Sequence, residues 1–375
     1  MNLSATQIRW FRLRRSGLVE PFTSPETAAS ALAGVQAQIL PAAGLSLWNR
    51  TVGLTQAIFD DLLHQKRSLV KLWGQRHTLH LYPSQEWPLI HGALAGQPTW
   101  WERQARQNGT DLVAYQASIA HLAELLRERG TLGRSDLRAI ELDLDEEHFS
   151  SWGGIFASLV REGHACHAGQ VGNEGRFAHR EHWLPDLVWN PPSPDEANAE
   201  LARRYLRVYG PATVQDLAYW RGVSVGNARR WLAALGDEVI EVNVEGQTVL
   251  AVRADTDALN ETPPPLEAWP VRLLYRFDPL LLGVKDKSWI VDPTHYNRVW
   301  RPAGHIEGTI IEYGRIVGTW RYDWRSGGLE VSVFPFEVLP EHVRAGVKSH
   351  ATGLAAFFGV ELVGLTVGEV TQNIK

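Results

Sequence analysis

The chain has 375 residues, 44% of them hydrophobic, 10% aromatic and 21% charged, which excludes wholesale disorder and gives room for two or three domains. A single cysteine, Cys166, excludes an internal disulfide framework and a four-cysteine zinc site and points to the reducing cytoplasm. The net charge of −5 excludes an overall basic coat for nucleic acid, but not a local basic groove.

In chain order, Met1 to Trp10 lacks a basic head followed by an apolar core, so no signal peptide is expected. Ser4 can cap a helix over 5–14. Ser24-Pro25-Glu26 combines an N-cap serine, a proline at the first helical position and an acid in the first turn. That helix is expected to run to about Gln36 and to end before Pro41, which disfavours helical geometry at Leu40. The uncharged window Thr27–Asn49 is too broken by Gln36, Gln38, Pro41, Ser46 and Asn49 to cross a membrane. Thr55 opens a short helix to about His64, and Ser68–Trp73 and His77–Tyr82 read as two short strands. Three helices and a hairpin is the order of a winged helix.

The order recurs. Tyr115–Arg129 is a helix with an apolar face at Ile119, Leu122, Leu125 and Leu126. Ser135 caps a short helix, Ser150 or Ser151 opens a third, and a wing follows between His164 and His182. In the third copy Ala199–Tyr209 is a helix, Thr213-Val-Gln-Asp216 is a capping arrangement, and Ser224 caps Val225–Leu235. Glu238–Val244 and Gln247–Val252 are strands around the Glu245-Gly246 turn. Prolines 191, 192 and 194 mark a linker before this copy, and prolines 263 to 265 mark its end. Beyond them Trp289–Val291, Gly304–Glu312, Arg315–Tyr322 and Gly328–Pro335 are strand-like. A helix over Pro340–Phe358 and a strand near Glu361–Leu365 close the chain. The expected fold class is α+β: three tandem winged-helix units over 1–110, 111–190 and 195–262, then an antiparallel β domain with a terminal helix over 266–375.

Winged helices place the second helix of a helix-turn-helix in a DNA groove. The candidate is Val225–Leu235, with Arg229, and residues 200–234 hold six arginines against two acids. A bland reading is a solvated helix face. Gly34-Val-Gln-Ala-Gln38 sets two amides inside an apolar segment, where a buried glutamine is costly unless hydrogen-bonded. On a regular helix positions i and i+2 lie about 200° apart, so the two amides converge only where the helix frays.

The Gln36-Ala37-Gln38 run resembles the glutamine-x-glutamine signature of the AlkZ-type DNA glycosylases. Leu72-Trp-Gly-Gln-Arg-His-Thr-Leu-His-Leu81 is similar to that family's first wing. Phe277-Asp-Pro-Leu-Leu-Leu-Gly283 and Asn297-Arg298-Val-Trp-Arg301-Pro-Ala-Gly304 are similar to its C-terminal domain. The resemblance covers nearly the whole chain. It implies monofunctional excision of N7-alkylated purines from double-stranded DNA, with crosslink unhooking and protection of producers of DNA-alkylating antibiotics in some members. It implies Gln36 and Gln38 as catalytic residues and no cofactor or metal. A related branch has aspartate at the second glutamine; Gln38 resembles the glutamine–glutamine branch. The middle residue is often a larger aliphatic in the family, and Ala37 is small. Arg298 and Arg301 are the best-matched candidates for a loop or hairpin entering the minor groove, and Arg76 in the first wing for a phosphate contact. Their bland reading is surface salt bridges. Three tandem units in one chain lead to the expectation of a monomer.

Rival constellations are weaker. His164, Cys166, His167, His179 and His182 do not match a zinc-finger spacing. Asp143, Asp145, Glu146 and Glu147 read as a solvated loop rather than a Mg²⁺ site. His77 and His80 read as strand histidines rather than general bases. A winged-helix regulator without activity is the alternative from another class.

Overall fold

The computed structural model describes residues 1–99, 102–103, 106–107, 112–140, 148, 150 and 154–368. Asp143, Asp145, Glu146, Glu147 and Ser151 lie outside the described residues. The fold is mixed α+β, built from short helices and several small sheets. The described chain forms two compact units, Met1–Phe59 with Ala199–Lys375, and Asp60–Asn198.

In the first unit Ser4 caps Ala5–Arg15 through a reciprocal arrangement with Gln7. This helix serves two cores. Ile8 and Phe11 pack with Leu3, Val242, Val249, Ala251 and Leu259. Trp10 and Leu13 pack with the C-terminal residues Leu274, Leu280, Ile290, Val299, Ile311 and Phe336. The strand Asn2–Leu3 lies parallel to Val239–Val244, which pairs in turn with Gln247–Val252.

Residues 194–252 fold as helices Pro194–Tyr209, Val214–Arg221 and Val225–Ala234 followed by that hairpin. Thr213 and Asp216 cap each other at the second helix, and Gly222, in the left-handed region at φ 75°, ends it. The hairpin turns on Glu245 and Gly246, both at positive φ, as a two-residue turn of the primed type requires.

The C-terminal sheet runs Arg272–Leu274, Gly308–Glu312, Arg315–Arg325, Gly328–Pro335 and Glu361–Val367 in spatial order. The first four are antiparallel, but Glu361–Val367 pairs parallel to Gly328–Pro335. The sheet is therefore mixed, which corrects the expectation of an antiparallel domain. Helix Glu341–Phe357 is the cause, because it supplies the crossover that a parallel neighbour needs. Trp289–Val291 is a turn rather than a strand.

Arg50 and Asp278 fasten the N-terminal segment to the C-terminal one. Both side chains are 0% exposed. The guanidinium donates to both carboxylate oxygens at 2.7 and 2.8 Å and to the carbonyls of Ser16 and Ser46 at 2.8 Å. Asp278 also accepts from the Leu280 N–H at 3.0 Å, capping Pro279–Leu282.

In the second unit Leu69–Trp73 and Leu79–Pro83 form a hairpin. Ala165–Val171, Glu174–His179 and Thr131–Leu132 form a three-stranded sheet. Trp73 stacks on His167 and Phe177. Gly133, not Ser135, stands at the N-cap of Arg134–Arg138. Ser135 sits inside the first turn and is held by Glu174.

Candidate active site

The helix that begins at Ser24-Pro25 ends at Ala31, five residues before Gln36. Ala33 takes the left-handed conformation at φ 53° and Gly34 follows at φ 102°. The Ala33 N–H donates to Ser30 O at 3.0 Å and the Gly34 N–H to Ala29 O at 2.9 Å. That pair of bonds is a Schellman ending, which satisfies the last carbonyls and turns the chain out of the helix. Val35–Gln36 is then extended, Gln38 lies in a bend, and a new helix runs Leu40–Trp48 with Pro41 in its first turn.

The motif therefore lies between two helices, not at the end of one. Pro41 opens a helix, where its missing N–H costs nothing. Leaving the helix removes the 200° separation: Gln36 ends a short extended stretch and Gln38 lies in the bend that follows. Val35 and Ala37 are buried, Gln36 is 8% exposed, and Gln38 is exposed. One amide is recessed and the other faces solvent, with Ala37 turned into the core beneath them. The small size of Ala37 suits that packing.

Arg229 lies on Val225–Ala234, capped by Ser224, which accepts from the Asn227 N–H at 3.2 Å. Ala228, Trp231 and Leu232 are buried while Arg229 and Arg230 are exposed, so the helix turns its basic face outward. Arg298 is half-buried. Its guanidinium stacks 4.4 Å from the Phe336 ring and donates to Pro335 O at 3.3 Å, and burial lowers its pKa. Its anchor is a ring and a carbonyl, not the surface salt bridge of the bland reading. Arg301 stands at the base of a tight loop bridged by Trp300 and Ile306, whose tip, Pro302 to Gly304, is exposed. The Arg301 N–H donates to His305 O at 2.8 Å across this loop.

Arg76 belongs to the other compact unit. It sits in the turn between Leu69–Trp73 and Leu79–Pro83, in the left-handed region at φ 53°, followed by His77 at φ 56°. Tyr82 Oη donates to the buried Gln75 Oε1 beneath this turn. A Cβ on Gly74 would collide with the same hydroxyl, so the turn needs glycine there.

The structure adds residues that sequence patterning did not single out. Strand Arg315–Arg325 runs three residues beyond the expected Tyr322, and its tip carries Trp324, 56% exposed, beside Arg325. Alternation through Tyr322 gave no sign of an exposed tryptophan past the strand's buried part. In the same unit a cavity of about 710 Å³ is lined by Arg14, Arg15, Arg204 and Arg207 and by Thr27 and Ser30 of the helix leading to the motif. Three of these arginines are paired with carboxylates: Arg14 with Glu20 and Glu261, Arg15 with Asp255, and Arg204 with Glu200.

The rival groups do not assemble. Cys166 is fully buried and burial pushes its thiol pKa up. Burial lowers the pKa of His167 well below the usual range and that of His179 to about 4. No three His, Cys, Asp or Glu residues converge as metal ligands among the described residues. His80 is buried, with Nδ1 2.9 Å from Thr78 O.

A family model described as DNA glycosylase AlkZ-like matches residues 29–357. The chain belongs to the AlkZ-like DNA glycosylase family. A relative from Streptomyces sahachiroi, named interstrand DNA cross-link repair glycosylase, is 32% identical over 368 residues, 93% of this chain and 94% of the relative. The solved structure of Streptomyces sahachiroi DNA glycosylase AlkZ superposes with a TM-score of 0.83 at 29% identity, covering 98% of this chain and all of that one. The chain is thus a DNA-repair enzyme of the glycosylase class, and the non-enzymatic regulator is not favoured. No helix among the described residues is long and apolar enough to cross a membrane.

Proposed function

We propose that this glycosylase hydrolyses the N-glycosidic bond of cationic N7-alkylpurines in double-stranded DNA, with Gln36 and Gln38 as its catalytic pair. The observation that carries the reading is the Gln36-Ala37-Gln38 run, held outside any helix with one amide recessed and one exposed. A glutamine amide cannot act as a general base near neutral pH. It suits a substrate whose leaving group is already activated. An N7-alkylguanine carries a positive charge, leaves as a neutral base, and generates an oxocarbenium-like sugar. The two amide oxygens hold a water near C1′ and face the developing charge, which is positioning with electrostatic preorganisation. The water adds to C1′ and its proton passes to solvent. No lysine Schiff base, metal or cofactor enters.

In this reading the chain contains three winged-helix units and acts as a monomer in the cytoplasm. Arg229 on its exposed helix face and Arg76 in the first wing meet DNA phosphates. Arg298 braces and Arg301 flanks a loop that enters the minor groove. The name of the Streptomyces sahachiroi relative supports a substrate range that includes interstrand crosslinks. A bulky adduct does not fit the snug pocket of a base-flipping enzyme, and a site built on a short segment between two helices, with Gln38 exposed, needs no such pocket.

The test is base release from a duplex with one N7-methylguanine, beside the same duplex with guanine, in EDTA. The reading predicts free base from the alkylated duplex alone. No release from that duplex, from one with a bulky N7 adduct, or from a crosslinked one would contradict it.

A further inference from the structure

Glu307 precedes the strand Gly308–Glu312 and donates its backbone N–H to Val299 O at 3.0 Å. Gly308 stands opposite Trp320 in the antiparallel register, which sets Glu307 beside Arg321. The carboxylate is only 5% exposed. Arg321 grips it with two hydrogen bonds, Nε at 3.2 Å and Nη2 at 2.7 Å. His305 Nε2 lies 3.5 Å and Arg301 Nε 3.8 Å from the same carboxylate. Burial pushes the Glu307 pKa up, but the pull of Arg321, His305 and Arg276 outweighs it and the net shift is downward. The Nε of Arg276 is itself buried with no hydrogen-bond partner among the described residues.

The charges do not balance. Arg321, Arg301 and His305 lie within 3.8 Å of one carboxylate and Arg276 also pulls on it, with Asp323 the second acid that acts on Arg321, whereas Arg14, Arg15 and Arg204 of the 710 Å³ cavity each have an acid of their own. Arg321 spends one edge of its guanidinium on Glu307, and its side chain remains 51% exposed. Its Nη1 has no hydrogen-bond partner among the described residues. A guanidinium locked on one edge presents the other in a fixed plane, the geometry that meets an oxyanion bidentately. An isolated surface ion pair does not explain a buried acid with several cations around it.

We infer that Glu307 is a positioning residue that holds Arg321, with Arg301 and His305, as a clamp for one DNA phosphodiester. This rests on the reading that the Trp300–Ile306 loop meets duplex DNA. Glu307 touches no DNA itself; it fixes the plane of the guanidinium that does.

The experiment uses the full chain, with Glu307→Gln, Arg321→Gln and the double variant. Binding to an undamaged duplex is titrated across a salt series, and KM and kcat are measured on N7-methylguanine DNA. Arg321→Gln is expected to weaken binding about tenfold and to lower the log–log salt slope by about 0.9, one phosphate contact. Glu307→Gln should raise KM several-fold while kcat stays within about twofold, although it removes a negative charge. The double variant should be no worse than Arg321→Gln alone. Equal or tighter binding by Glu307→Gln, an unchanged salt slope in Arg321→Gln, or losses that add in the double variant would overturn the clamp. Arg321 is exposed, so its variant decides the question even if Glu307→Gln fails to fold. Wild type that neither binds DNA nor releases base would sink the proposed function instead, whatever the variants do.

Discussion

Ala33 sets the path of the Gln36-Ala37-Gln38 segment, and nothing in the sequence marks it. A non-glycine residue in the left-handed region is uncommon, so a pattern reading carries the helix on to Gln36. With Ala33 at φ 53° and Gly34 at φ 102° the helix stops, and two glutamines that a helix would hold apart fall in the irregular stretch before the next helix, Gln36 at the end of a short strand and Gln38 in a bend. Single residues also set the response to acid. His350 packs edge-on against Trp48 at 4.9 Å, with its Nδ1 buried and without a partner among the described residues. Burial first, and then Arg272, lowers its pKa from 6.5 to about 3. The folded chain keeps this ring neutral while the unfolded chain protonates it below pH 6.5. Its stabilising effect is complete above that pH and is lost as pH falls toward 3. Between pH 7 and pH 5, wild type should lose about 1–2 kcal/mol more unfolding free energy than His350→Gln. Urea titrations at the two values check this, and parallel losses would refute it.

At the scale of elements, legibility follows how local the signal is. The Ser4 and Ser24 caps, the Thr213–Asp216 capping box and the Glu245-Gly246 hairpin are written within a few residues of their effect, and each stands where expected. Helix Leu40–Trp48 was hidden, because Pro41 reads as a stop unless the preceding chain has already left the helix. Phe277-Asp-Pro-Leu was visible only as a resemblance. The structure gives it a cause, since Asp278 caps the helix behind it and neutralises Arg50 across 228 residues. Removing one partner of a fully buried pair strands the other charge. Asp278→Asn and Arg50→Met should each cost about 3–5 kcal/mol in urea unfolding. The double variant Arg50→Met with Asp278→Leu should recover part of that cost. A cost under about 1 kcal/mol for either single change, the range of an exposed pair, would show the pair to be dispensable.

Across the whole molecule, what sequence order conceals is long-range pairing. Asn2–Leu3 joins a strand some 240 residues away, and no local pattern encodes that contact. The parallel last strand likewise depends on a crossover helix that reads only as a helix. The candidate site was legible in its glutamines and in Arg229, whose exposure follows from helical spacing. The Glu307 cluster was not, because its members come together only when the strands pair. In the proposed mechanism chemistry resides in two neutral amides while binding is spread over many arginines. Single-turnover base release from an N7-methylguanine duplex by Gln36→Ala and Gln38→Ala, with duplex affinity measured on the same preparations, tests it most directly. The expected loss in rate is about 10²–10³-fold, the usual effect of removing a preorganised polar group, with affinity nearly unchanged. Release at wild-type rates by both variants would contradict it.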